Sequence, residues 1–314
     1  MFLYASKMLS KNLKIVAGNR LKNLLATLSN SQVVGMFTGI VVTTFLQSSS
    51  LVSVMLVEFV SSGYMSFNQT IGILLGSGIG STTSSQMMAL NIRKYSLYLV
   101  TIGFALQSMA KTSKKQSFGG IFIGFGLIFY GADILSHSVT PLGTYPPFLE
   151  FIVEITQHSL LALLVALLFS AFVQSASAAI GIVIVLASQN LIQLKPAIAM
   201  VLGSNIGTSL TAVIAALSGT NEVGHTNSGN REALRVAAAN ILFKIVGVLI
   251  ILPFLKSFRS LVLWFSPPDD IARQIANSHT LFNVFVALIF MPFTRRIAHI
   301  ITSLLPDINK IDLH

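Results

Sequence analysis

The chain has 314 residues, of which 53% are hydrophobic and only 10% are charged, whereas a soluble domain has about 25% charged residues. Several apolar stretches approach the roughly 20 residues that a helix needs to cross a bilayer. Composition therefore excludes an ordinary water-soluble domain and predicts an all-α polytopic membrane protein. The lack of cysteine excludes disulfides, thiolate metal sites and cysteine nucleophiles.

A basic segment opens the chain. Residues 1–30 carry Lys and Arg side chains at helical spacing, with apolar residues between them. This pattern predicts an amphipathic N-terminal helix that lies at the inner surface of the membrane. The basic residues are Lys7, Lys11, Lys14, Arg20 and Lys22.

An internal repeat follows. The cluster Gln47-Ser48-Ser49-Ser50 recurs as Gln174-Ser175-Ala176-Ser177, and a glycine motif at 76–81 recurs at 203–208, both with an offset of 127 residues. Residues 47–84 therefore align with 174–211 without a gap. Two polar motifs repeated in register indicate two copies of one unit. We assign repeat 1 to 31–137 and repeat 2 to 138–314, together forming one membrane domain.

Each Gln-Ser cluster interrupts an apolar stretch. The flanks have about 10–14 residues, or roughly 15–21 Å of helix, which is too short to cross a core of about 30 Å. The stretch is either one long helix with a polar kink or a re-entrant hairpin whose tip is the cluster. We favour the hairpin because consecutive polar residues at depth are tolerated only against protein or a wet cavity. It predicts half-helices at 33–46 and 50–62, and at 157–173 and 178–189.

The orientation of the two copies can be predicted from the spans between them. Three spans, at about 69–90, 95–110 and 118–137, would make the second hairpin enter from the opposite face. With both termini cytoplasmic, the cytoplasmic segments hold 13 of the 20 Lys and Arg residues and the outer segments hold six. This bias explains the net charge of +10 without nucleic acid. It agrees with inverted-topology repeats and broken helices in an inner or plasma membrane.

The Gln-Ser clusters favour an oxyanion site. A helix that begins at a break points free N–H groups and its positive dipole end at the break. Serine hydroxyls add rotatable donors, and a Gln amide both donates and accepts. The alternative is that the serines bond to helix carbonyls or hold helices together, but duplication in register favours binding. The predicted binding residues are Gln47, Ser48, Ser49, Ser50, Gln174, Ser175 and Ser177.

The glycine motifs favour a cation site. We expect their glycines to break helix regularity in mid-span and to expose carbonyls, which are hard oxygen ligands suited to an alkali cation. The alternative is close helix packing, because the glycines are four residues apart. A nucleotide P-loop is excluded, since no Gly-Lys-Ser/Thr follows. The predicted side-chain ligands are Ser81, Thr82, Ser204, Asn205, Thr208 and Ser209.

The paired motifs resemble those of the type II sodium–phosphate cotransporter family, which includes bacterial members. Each Gln-Ser cluster is followed by a motif similar to Gly-Ser-Asn-Ile-Gly-Thr, and 277–283 resembles the family's His-x-x-Phe-Asn segment. Residues 7–25 are also similar, so the resemblance covers nearly the whole chain. It implies two inverted repeats, inorganic phosphate bound at the Gln-Ser clusters, and sodium ions nearby.

Three positions depart from the family pattern. Gly78 replaces the Asn of the first glycine motif, and Ala176 replaces the middle Ser of the second cluster. Lys244 ends a segment, 240–244, that stands where relatives have His-x-x-Phe-Asn. An unpaired Lys inside a span costs roughly 2.5–3.5 kcal/mol. Lys244 therefore either lies in the interior, where it holds phosphate or replaces a cation, or extends to the membrane interface.

Two other ionisable residues each have two interpretations. Glu58, near the end of the first hairpin, is either interfacial or a ligand of the coupling ion, and its position favours the interface. His279 either confers pH dependence or makes a hydrogen bond that packs helices.

These features predict a secondary active transporter of inorganic phosphate that is coupled to sodium. Uptake into a negative cell opposes about 2.3 kcal/mol per charge per 100 mV and needs a cation partner, whereas export does not. The alternatives are an oxyanion channel, an exporter not coupled to sodium, and another oxyanion such as arsenate or sulfate. We expect no enzyme, since no nucleophile–base pair recurs in the spans. The expected partners are phosphate, sodium and the bilayer; a homo-oligomer is compatible with the sequence.

Overall fold

The computed structural model describes residues 2–17, 31–90, 95–219 and 227–306, and every regular element within these ranges is helical. This confirms the predicted all-α class. The helices of the first half are α1 (Phe2–Ala17), α2 (Gln32–Leu46), α3 (Ser49–Ser61), α4 (Phe67–Met88), α5 (Ser96–Met109) and α6 (Ser113–Val139). Those of the second half are α7 (Pro146–Gln157), α8 (Ser159–Val173), α9 (Ala176–Ser188), α10 (Leu194–Gly219), α11 (Asn227–Ile251), α12 (Leu255–Trp264), α13 (Ile271–Phe290) and α14 (Thr294–Leu304).

Several helical stretches are long and apolar enough to cross a membrane. Within the described ranges there are four, or five if α7 and α8, bent by 110°, form one span. A multi-pass membrane protein is thus confirmed. Of the three spans predicted between the hairpins, only the last, at 118–137, is among these stretches. Helix α4 is not, and α5 has only 14 residues, so the odd number of crossings between the hairpins stays a prediction. The four stretches are Ser113–Thr144, Leu194–Ser218, Arg231–Trp264 and Ile271–Leu304.

The N-terminal helix is present over Phe2–Ala17, and residues 18–30 of the predicted segment lie outside the described ranges. Its Leu9 is buried against Gly124 of α6, and its Asn12 lies against Gly120. Helix α1 therefore runs antiparallel to α6 and packs along one of the candidate spans, and its position at the inner surface of the membrane stays a prediction.

The first predicted hairpin is confirmed by the contacts of α2 with α4. At its start, Gln32 Nε2 donates to the carbonyl of Asn68 at 2.7 Å. At its end, the hydroxyls of Thr44 and Thr83 lie 3.3 Å apart. Helices α2 and α4 therefore run parallel, and the chain must return between them through α3. The 13 residues of α3 supply about 20 Å, close to the length of α2.

The same arrangement recurs in the second repeat. The Cβ of an alanine at Gly76 would meet the carbonyl oxygen of Met36, and one at Gly203 would meet that of Leu163. Both the glycines and their contacts are 127 residues apart. Helices α8 and α10 are thus parallel with α9 returning between them, which confirms the second hairpin.

The glycine motifs differ from the sequence-based prediction. They lie within the uninterrupted helices α4 and α10, so the expectation that they break helix regularity and expose carbonyls is wrong. The packing alternative explains them, because an added Cβ at Gly80 or Gly207 would meet the backbone of α2 or α8. Missing side chains let two helix backbones approach closely.

Candidate functional site

The two hairpin tips have the same backbone geometry. Gln47 (φ 55°, ψ 24°) and Gln174 (φ 57°, ψ 30°) both end a helix in the left-handed region. The next residues, Ser48 and Ser175, are extended and cap the following helix. Each hydroxyl oxygen accepts from the backbone N–H three residues later, in both cases at 3.2 Å. Each tip therefore presents the start of a helix, where the first N–H groups have no partner in their own helix.

The two glutamines differ in their side-chain contacts. Gln47 is buried, its Oε1 accepts from the Ser84 hydroxyl at 2.6 Å, and its Nε2 donates to the Thr44 carbonyl at 2.5 Å. The Gln174 side chain is exposed and makes no hydrogen bond to the described part of the chain. Gln47 is thus held in place by α4, whereas no described residue holds the Gln174 side chain by a hydrogen bond.

The tips come together in the interior. Helix α3 packs against α10, and α9 packs against α4, so each returning helix contacts the long helix of the other repeat. Gln47 and Ser177 line one cavity of about 20 Å³, which holds roughly one water molecule. Of the predicted binding residues, Ser48, Ser49, Ser50, Gln174 and Ser175 do not line it. The other lining residues are Leu9, Ser84, Met87, Met88, Phe125, Ile128 and Phe129.

The predicted cation ligands are all buried. Their hydroxyls donate to carbonyls of their own helix: Ser81 to Gly78 at 2.7 Å, Thr82 to Ile79 at 2.8 Å, Ser204 to Met200 at 2.8 Å, Thr208 to Asn205 at 3.2 Å and Ser209 to Ile206 at 2.6 Å. Each hydroxyl thus uses its one proton and keeps oxygen lone pairs. Such oxygens can accept a cation, although the same bonds are also those of simple helix packing.

A buried polar network connects four helices near the second glycine motif. His279 Nε2 lies 3.3 Å from Asn205 Oδ1, and His279 Nδ1 lies 2.7 Å from the Ser85 hydroxyl. Asn283 donates to the same Asn205 oxygen at 3.4 Å, and Lys244 Nζ donates to Asn283 Oδ1 at 2.7 Å. His279 thereby makes the helix-packing hydrogen bonds that were one of its two predicted roles.

Sequence reasoning missed the residues that follow the first glycine motif. Ser84 holds Gln47, Ser85 meets His279, and Gln86 donates to Asn277 and Thr280, each at 2.9 Å. The sequence does contain a signal for them, since Ser-Ser-Gln follows directly after the glycines of a buried helix. The polar face of α4 therefore continues from the first glycine motif to the residues that contact the tip.

Comparison with known proteins decides the family. The family model of the Na⁺/Pi-cotransporter matches residues 1–137 and 145–265. The chain belongs to the Na⁺/Pi-cotransporter family. This is a family of phosphate transporters embedded in membranes, in agreement with the fold and with the resemblance of the motifs.

Members of the family in bacteria and animals are similar to different extents. The "Uncharacterized protein YqeW" of Bacillus subtilis is 33% identical over 97% of this chain and 95% of its own length. The "Putative inorganic phosphate export protein YjbB" of Escherichia coli is 26% identical over 95% of this chain, which spans about half of that relative (52%). The human "Sodium-dependent phosphate transport protein 2B" is 36% identical over 32% of this chain and 14% of its own length. No solved structure matches.

Lys244 and Gly78, which depart from the family pattern, are neighbours. The Lys244 side chain is only 9% exposed, so it lies in the interior and does not extend to an interface. Its Nζ is 3.0 Å from where a Cβ at Gly78 would be, and 6.0 Å from the centre of the Phe282 ring. Glu58, by contrast, is exposed near the end of α3, as the interfacial interpretation expects.

Two larger cavities lie at opposite ends of α4. One has a volume of about 1160 Å³, and we call it the basic cavity. Its lining is Ser31, Gln32, Val33, Asn68, Gln69, Met291, Pro292, Thr294, Arg295, Ala298, His299 and Thr302. The other, of about 400 Å³, is lined by Met88, Ala89, Leu90, Ser188, Asp269, Asp270, Ile271 and Ala272; we call it the acidic cavity. Neither cavity is lined by a tip residue, so neither of the two reaches the tips in this structure.

Proposed function

We propose that this chain carries inorganic phosphate across an inner or plasma membrane, coupled to sodium. The observation that carries the proposal is the matching pair of hairpin tips, each with a helix start and serine hydroxyls, which meet at one small cavity through Gln47 and Ser177. Membership of a phosphate-transport family supports phosphate as the anion. In this proposal the repeats are inverted and both termini are cytoplasmic.

The phosphate would be held by both tips. The hydroxyls of Ser49, Ser50 and Ser177 make no hydrogen bond to the described part of the chain, so their protons are available to an anion. The first N–H groups of α3 and α9 add donors with a favourable dipole. Gln174 adds an amide, and the capping hydroxyls of Ser48 and Ser175 still have a proton to donate. Phosphate is larger than the 20 Å³ cavity, so binding requires the tips to separate.

Sodium would be held by the oxygens of the glycine motifs. The buried hydroxyls of Ser204, Thr208 and Ser209, with Asn205 Oδ1, form the fuller set, while Ser81 and Thr82 belong to the motif that lacks Asn. A cation held a few ångströms from the anion stabilises it by several kcal/mol even at an effective dielectric of about 20. By linkage, each ion would raise the affinity of the other by the same factor.

An exporter not coupled to sodium is the second candidate. It is favoured by the similarity to relatives named as putative phosphate export proteins. Outward movement of an anion from a negative cell gains about 2.3 kcal/mol per charge per 100 mV, so no cation partner is required.

Radiolabelled phosphate flux into proteoliposomes, with and without a sodium gradient, tests the proposal. We expect accumulation of phosphate above equilibrium only with the gradient. Saturable flux that ignores sodium would favour the uncoupled exporter, and flux that does not saturate would favour the channel. Absence of flux under every gradient would contradict phosphate transport altogether.

A further inference from the structure

Lys244 occupies the counterpart of the Asn205 position. The 127-residue offset makes Gly78 of repeat 1 equivalent to Asn205 of repeat 2. A Cβ at Gly78 would lie 2.6 Å from Asn283 Oδ1 and 3.0 Å from Lys244 Nζ. The ammonium of Lys244 and the amide of Asn283 therefore fill the space where repeat 2 places an asparagine side chain.

The charge of Lys244 has no carboxylate partner among the described residues, since no described Asp or Glu oxygen lies within 4 Å of it. Within the described ranges, its one hydrogen-bond acceptor is the neutral amide of Asn283, at 2.7 Å. The other buried cation of these ranges, Arg235, pairs with Glu232 and donates to the Leu305 carbonyl. A buried charge without a counterion is costly, so the interior beside the first glycine motif attracts an anion.

Lys244 is also linked to the second glycine motif. Asn283 accepts from Lys244 through its oxygen and donates to Asn205 Oδ1 through its nitrogen, at 3.4 Å. One amide thus connects the ammonium with the fuller set of oxygen ligands. A cation at either end of this link would add the same single positive charge to the interior, where water does little to screen its attraction for an anion.

We propose that the Lys244 ammonium is a resident cation that takes the place of one coupling sodium ion in repeat 1, so that only the residues around Asn205 take up mobile sodium. This inference rests on the proposed function, and it specifies the number of sodium ions that the chain binds. An ammonium supplies the same single charge as sodium but donates hydrogen bonds, and so needs fewer oxygen ligands. Repeat 1 has Gly78 in place of an asparagine and therefore offers fewer oxygen ligands.

The test replaces the resident cation with an empty cation site. The double variant Gly78→Asn/Lys244→Asn removes the charge and supplies the asparagine that repeat 2 has. The new side chain at position 78 can fit because the nearest atom, Asn283 Oδ1, is the end of a flexible side chain that can shift. Equilibrium binding of ²²Na⁺ to the purified protein, in the presence of phosphate, is compared with wild type. Lys195→Asn, at an exposed lysine of α10, is the matched control for loss of one positive charge.

We expect the double variant to bind one more sodium ion per chain than wild type or Lys195→Asn, and its phosphate flux to depend more steeply on sodium. Lys244→Asn alone should lower flux at least tenfold at low sodium and recover as sodium rises. If the double variant is not recovered as a folded protein, Lys244→Gln gives the same comparison with a side chain closer in length.

Two results would overturn the inference. The first is an unchanged number of bound sodium ions in both the double variant and Lys244→Gln. The second is weaker phosphate binding at every sodium concentration, which would make Lys244 a direct phosphate ligand. Because sodium binding is counted directly, a variant that gains a sodium ion supports the role of Lys244 as a resident cation even if wild type binds none. Wild type that binds no sodium would contradict sodium coupling of the native chain and sodium uptake around Asn205.

Discussion

The two repeats share a backbone but not a set of ligands. Both have a left-handed Gln and a capping Ser at the tip, and glycines that lock two parallel helices together. However, Gln47 is hydrogen-bonded to Ser84, whereas Gln174 is exposed. Repeat 1 also has Gly78, next to Lys244, at the position that Asn205 occupies in repeat 2. The comparison shows that the two repeats share a backbone architecture, and we expect single side chains to decide which ion each half takes.

The largest effect should come from the shared part. Gly76→Ala and Gly203→Ala would each place a Cβ against a backbone carbonyl that cannot rotate away. We expect about 3 kcal/mol of lost stability, the upper part of the usual cost of overpacking, and of similar size in both repeats. Thermal unfolding in detergent measures it. Gly143→Ala is the control and should be tolerated, because the nearest atom is the flexible Leu191 Cδ2 at 3.4 Å. A large difference in lost stability between Gly76→Ala and Gly203→Ala would contradict the structural equivalence of the two repeats.

The next effect concerns the tips. Ser50→Ala and Ser177→Ala each remove a donor that we propose for phosphate, worth about 2 kcal/mol when charge-assisted, or roughly thirtyfold in affinity. Folding should be retained, because neither hydroxyl bonds to the described part of the chain. Phosphate binding by calorimetry measures the change, with Ser260→Ala on the exposed side of α12 as control. If both variants bound phosphate as tightly as wild type, these serines would have only a helix-packing role.

A smaller effect separates the two glycine motifs. Asn205→Ala should raise the sodium concentration for half-maximal transport by about tenfold, equivalent to about 1.4 kcal/mol of ligand stabilisation. Gly78→Ala should act only through packing, and mildly, because the atoms that its Cβ would approach, Asn283 Oδ1 at 2.6 Å and Lys244 Nζ at 3.0 Å, are the ends of flexible side chains; its sodium dependence should stay unchanged. An Asn205→Ala protein with normal sodium dependence would mean that sodium binds elsewhere.

The smallest effect distinguishes the two glutamines. Gln47→Ala loses hydrogen bonds to Ser84 and Thr44 and should lower the free energy of unfolding by about 1 kcal/mol. Gln174→Ala should leave stability unchanged and lower only phosphate affinity. Unfolding midpoints and phosphate binding of the two variants give the comparison directly, and equal loss of stability in both would show that Gln174 is held by a contact of its own.

The sequence predicted the hairpins because their signal is local. A polar cluster between two short apolar flanks has few structural solutions, and the predicted half-helix 33–46 agrees with Gln32–Leu46. The glycine motifs were harder, since glycines four residues apart fit both an unwound helix and a close contact, and only the neighbouring helix decides. The approach of Lys244 to Gly78 joins residues far apart in the chain, so no local pattern could reveal it.

The glycine contacts also have a mechanical consequence. Helices α2 and α4, and likewise α8 and α10, meet backbone to backbone, and pulling either pair apart would forfeit contacts along much of a helix. Each pair therefore behaves as a stiff block, and the blocks meet where α3 crosses α10 and α9 crosses α4. If the chain transports phosphate as proposed, we expect one block to tilt against the other. A tilt one way would open the tips toward the basic cavity, and a tilt the other way would open them toward the acidic cavity.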